Sequence, residues 1–73
     1  MKNREWCVRV VCGAIERVRT SDDEAEAITL FRLMSRDARD EVDRGRVREA
    51  RATLSHRGRL LVGHTMIGRA VVS

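Results

Sequence analysis

Proline and tyrosine are absent from this 73-residue chain, and phenylalanine and tryptophan occur once each. A core built from so few rings must be aliphatic and thin. One domain at this length is near the lower limit for a self-sufficient core, and two domains are excluded. Only two cysteines are present, too few for the disulfide framework of a small secreted protein. On a helix Cys7 and Cys12 would lie about 140° apart and could not bond each other. No apolar run is long enough to cross a membrane. Arg9 and Glu16 interrupt anything like the apolar stretch of a signal peptide behind Lys2 and Arg4. A reduced, intracellular, cytoplasmic protein is expected.

What the chain has in quantity is charge, at 36% of residues and net +4. It is segregated along the sequence. Residues 1–19 carry +3, residues 20–43 carry −5, and residues 44–73 carry +6. Fourteen of the fifteen basic residues are arginine, so the chain is arginine-rich in a strict sense.

Residues 4–19 fit two periods. Alternation places Trp6, Val8, Val10 and Cys12 on one face, as in a strand, and the β-branched residues favour it. Helical spacing gathers Cys7, Val10, Val11, Ala14, Ile15 and Val18 in one arc opposite Glu5, Arg9 and Glu16. The helical reading leaves fewer apolar side chains misplaced and is preferred.

Residues 20–44 predict a helix. Ser21-x-x-Glu24 has the form of a capping box, and Asp22, Asp23, Glu24 and Glu26 place negative charge at the positive end of the helix dipole. Ala27, Ile28, Phe31, Met34, Ala38 and Val42 form one apolar stripe, with Phe31 and Met34 expected in the core. Leu30 and Leu33 flank it, as an ordinary broad core face would show or as a second contact surface for a partner helix. Near Gly45 the phase changes. Val47, Ala50 and Leu54 share a rotated face, so the chain either continues as one long helix or bends at 43–46 and restarts. Arg-Gly-Arg occurs at 44–46 and again at 57–59. Residues 60–73 are apolar and suit a short helix or a strand pair.

These readings predict an all-α fold: a helical hairpin with a short C-terminal element, one small helical domain over residues 1–73, dimerising into a four-helix bundle. A homodimer would supply the area that the thin core lacks.

No catalytic constellation is present. There is no glycine-rich phosphate loop, and no nucleophile sits near a candidate base. Cys7, Cys12, His56 and His64 match no zinc spacing. The expectation is a non-enzyme with no metal and no cofactor. The basic run is the main lead, with Arg44, Arg46, Arg48, Arg51, Arg57 and Arg59 opposed only by Glu49. On a helix Arg44, Arg48 and Arg51 would stack on one face. Guanidinium groups pair with phosphate through parallel N–H donors, so these six are the candidate nucleic-acid-binding residues. The competing reading is solvated charge balanced by the acidic middle segment. Stacking aromatics for single strands are nearly missing. Arginines without base-reading Asn or Gln suit duplex RNA held by its backbone, without sequence specificity.

A capped helix after a shorter amphipathic one, then an Arg-rich continuation and an apolar tail, resembles the nodavirus RNA-silencing suppressors. The resemblance rests on residues 21–42, 44–59 and 60–72. It implies a viral suppressor of RNA silencing, a helical homodimer lying along double-stranded RNA. The acidic second helix and the six clustered arginines depart from that pattern, so no residue role carries over. Two rival classes are a small dimeric DNA-binding regulator or antitoxin, and a protein-binding inhibitor whose acidic helix docks a basic partner.

Overall fold

The computed structural model describes residues 5–68 and overturns the all-α expectation. Four strands and one helix follow in the order β1 (Trp6–Cys12), β2 (Ile15–Ser21), α1 (Glu24–Asp43), β3 (Glu49–His56) and β4 (Arg59–Ile67). The strands form one antiparallel sheet in the order β2-β1-β3-β4. Among the described residues there is no helical hairpin and no four-helix bundle, and the helical layout behind the nodavirus resemblance is not present.

In β1 the alternating period wins. Val8 and Val10 are buried against α1 while Arg9 between them is exposed. β3 repeats the pattern, with Ala50, Ala52 and Leu54 buried and Arg51 exposed. Each strand thus sends every second side chain to one covered face. The core closes with Met66 from β4 and with Ala27, Ala38 and Val42 from α1. Alanine on both layers lets the helix approach the sheet closely. Phe31, Met34 and Leu30 are half-buried at the margin of this core, and Leu33 is exposed. Cys7 and Cys12 are unbonded. Five residues apart on a strand, they point to opposite faces.

The expected helix is present but starts later than a Ser21 cap implies. Asp23 is the N-cap, its Oδ2 accepting from the Glu26 N–H at 3.0 Å. Ser21 ends β2 and is buried, its Oγ accepting from the Asp23 N–H at 3.0 Å. The two Arg-Gly-Arg segments prove to be different devices. At 44–46 the helix stops on Gly45 (φ 75°). The Gly45 N–H donates to the Val42 carbonyl, and the Arg46 N–H to the Glu41 carbonyl, each at 3.0 Å. That is the paired bonding of a Schellman motif. At 57–59 the central pair Arg57 (φ 53°) and Gly58 (φ 79°) both adopt positive φ. A two-residue type I′ hairpin requires this, and its twist matches the flanking strands.

The helix packs mainly over β1 and β3. Among the described residues, one face of the sheet and much of edge strand β4 are therefore left uncovered. No helix among the described residues is long and apolar enough to cross a membrane.

Candidate nucleic-acid interface

Arg44, Arg48 and Arg51 do not stack on one helical face, because Arg44 caps the end of α1, Arg48 lies in the following loop and Arg51 is on β3. Between Arg48 and Arg57, β3 runs roughly 23 Å from Glu49 to His56 at about 3.3 Å per residue. Arg44, Arg46 and Arg48 gather at one end of the sheet, and Arg57 and Arg59 at the other.

Three of the six already have carboxylate partners. Arg44 Nε lies 3.0 Å from Asp40, Arg46 Nη1 3.4 Å from Glu41, and Arg57 Nη2 2.9 Å from Glu5. The intramolecular balancing that competes with phosphate binding is thus realised at these positions. Such exposed pairs are weak and exchange readily with other anions. Arg48, Arg51 and Arg59 make no ion pair among the described residues.

Arg48 and Arg51 lie together. With Val11, Gly13, Glu49 and Ala50 they line an open depression of about 410 Å³ beside the β1–β2 turn. Its frame is pinned by backbone bonds. The Gly68 N–H donates to the Arg48 carbonyl at 2.8 Å, and the Gly13 N–H to the Glu49 carbonyl at 3.3 Å. Gly13 holds φ 61° at the first position of the two-residue β1–β2 turn, where glycine suits a type II′ hairpin. Arg51 sits on the uncovered sheet face, flanked in register by Val11 of β1 and Thr65 of β4. Glu49 lines the same depression, so the net charge around it is small.

Arg9 belongs to this uncovered face and is absent from the six sequence candidates. It pairs with Thr53 in register and its Nε lies 3.4 Å from Glu16. Strict alternation from the buried Val8 and Val10 would have placed it there.

The charge segregation of the sequence becomes a segregation of layers. Residues 22–43, which form α1 and its cap, carry −5, and the remaining described residues carry +6. Trp6 and Phe31 are both spent elsewhere, Trp6 against His56 and Phe31 on the helix. Among the described residues, no three of His, Cys, Asp and Glu gather where a metal ion would fit.

A second hollow of about 320 Å³ lies between α1 and β2, floored by Val10, Cys12 and Met34 and rimmed by Arg17, Asp37, Asp40 and Glu41. Two of its three acids are the partners of Arg44 and Arg46. Comparison with protein-family models, with curated proteins and with solved structures finds no match to this chain.

Proposed function

We propose that this protein is a non-enzymatic, intracellular binder of nucleic acid that grips the phosphate backbone without reading base sequence. The observation that carries the reading is the shared depression of Arg48 and Arg51, two guanidinium groups with no carboxylate bound to either among the described residues. The layered charge supports an orientation. A polyanion approaches the uncovered sheet face, and the acidic helix stays on the far side. With no aromatic ring on that face, base stacking contributes nothing, which disfavours single strands. Duplex RNA fits better than DNA, because threonine hydroxyls at 53 and 65 flank the arginines, and a wide, shallow minor groove presents 2′-hydroxyls and phosphates together. A homodimer would double the number of arginines offered to one duplex.

The test is fluorescence anisotropy with one duplex as RNA, as DNA and as its separate strands, titrated with salt. Binding should fall linearly on a log–log plot, with a slope of roughly −0.9 per phosphate neutralised, taking B-form DNA as the guide. Changing Arg48 and Arg51 together to Gln should flatten that slope by about two units and weaken unrelated duplexes equally. No binding at low salt, or an unaltered slope in the double variant, would overturn the reading.

A further inference from the structure

We propose that two copies of the chain join through β4, edge to edge and antiparallel, into one continuous eight-stranded sheet. The inference is independent of nucleic-acid binding. It rests on an asymmetry between the two edges of the sheet.

An edge strand offers a row of unpaired N–H and C=O groups, and folded proteins ordinarily blunt such edges with charge, proline or cover. β2 is blunted in this way, with Glu16, Arg17 and Arg19 among its seven residues. β4 is not. From Leu60 to Ile67 it contains no Asp, Glu, Lys or Arg. It is also the longest strand, at nine residues. Four of the eight large exposed apolar side chains among the described residues lie on it: Leu60, Leu61, Val62 and Ile67. Ile67 is 75% exposed and Val62 43%. α1 gives this strand little cover.

The occupant is a second copy because the strand complements itself. Antiparallel pairing about the middle of β4 sets the 60–62 end of one strand against the 66–67 end of its partner. Apolar groups then meet at both ends, with Gly63, His64 and Thr65 between them. A foreign strand would have to match that pattern by chance. The two-fold axis stands perpendicular to the sheet, so both helices lie on the same side. With α1 seated over β1 and β3, four strand spacings separate the helix axes, roughly 19 Å. This exceeds a Debye length of about 8 Å at physiological salt, so the two acidic helices repel only weakly. Edge pairing of this length falls at the small end of specific interfaces, and micromolar dissociation is expected.

The experiment is sedimentation equilibrium over about two decades of concentration, from micromolar upward. Wild type should pass from monomer to dimer. A variant with Leu61→Lys and Thr65→Lys should remain monomeric, with an unchanged circular dichroism spectrum, since both positions are exposed. Val18→Lys on the β2 edge should dimerise like wild type. If the double variant loses its fold, amide exchange on wild type decides: amides of residues 60–67 should slow as concentration rises. Wild type that stays monomeric throughout, a double variant that still dimerises, or loss of the dimer in Val18→Lys would each overturn the proposal. So would exchange at β4 that does not depend on concentration.

Discussion

The indole of Trp6 lies flat against the imidazole of His56, with ring centroids 4.1 Å apart and planes 18° from parallel. The two residues are opposite one another where β1 begins and β3 ends. Glu5 closes the contact, one carboxylate oxygen 3.3 Å from His56 Nε2 and the other 2.9 Å from Arg57. The Arg57 N–H also donates to the Glu5 carbonyl at 2.8 Å. The only tryptophan is therefore a clamp between strands.

Arg57 first, and then His56, hold the Glu5 carboxyl below its ordinary value through hydrogen bonds to the charged form. A lowered folded-state value means stability present above the ordinary carboxylate range and lost as pH falls through the lowered one. Melting followed by Trp6 fluorescence should therefore show wild type losing stability on acidification. Glu5→Gln should start less stable at neutral pH and lose less below it. Parallel pH profiles for the two proteins would refute the clamp.

Gly13 and Gly58 separate two costs of a side chain in a turn. Both adopt positive φ, at 61° and 79°, where an L-residue loses roughly 1–2 kcal/mol. At Gly58 an added Cβ meets open space, while at Gly13 it would lie 2.9 Å from Val47 Cγ1. Gly58→Ala should cost about 1 kcal/mol, and Gly13→Ala clearly more. Val47→Ala made together with Gly13→Ala should recover part of the excess. Strictly additive losses in that double-mutant cycle would show that the contact is relieved elsewhere.

The structure also reorders the core. Phe31 is half-buried, whereas Met66 is 2% exposed and among the largest fully buried side chains. Met66→Ala should cost about 2–5 kcal/mol, as a buried methionine does. Phe31→Ala should fall below the roughly 3–5 kcal/mol expected of a buried ring, because part of its surface stays wet. Chemical denaturation of the two variants checks the order, and a larger loss at Phe31 would contradict it.

The legible part of this fold is the part where propensity and pattern agree. In α1 the stripe through Ala27, Ala38 and Val42 marks the buried side, and Gly45 marks the stop. β1 was legible in its alternation, yet Val11 and Val18 lie on the uncovered sheet face and so also satisfied a helical arc. A sheet covered on one side alone does not keep its other side strictly polar. β3 was concealed by composition. Ala50 and Ala52 are strong helix formers, and the spacing of Ala50 and Leu54 is helical as well as alternating. Strand pairing on both sides overrides that propensity, and only tertiary partners reveal it. The arginine site inherits the same error. Arg48 and Arg51 line one depression, through a loop and a strand rather than a helical face, while Arg44 and Arg57 are drawn apart to the two ends of β3.

Glu49 gives the sharpest test of that grouping. It lies two residues from Arg51 on the same strand face and lines the depression with both unpaired arginines. A phosphate seated there would feel its charge at about 7 Å, the spacing of alternate residues on a strand. At the dielectric of water that repulsion is about 0.6 kcal/mol, close to threefold in affinity. Glu49→Gln should therefore tighten duplex binding about threefold at low salt, and the gain should shrink as salt shortens the screening length. Glu26→Gln, the same charge change on α1 across the molecule, should leave affinity nearly unaltered. Equal gains in the two variants would mean that only net charge matters, and the depression at Arg48 and Arg51 would then hold no phosphate.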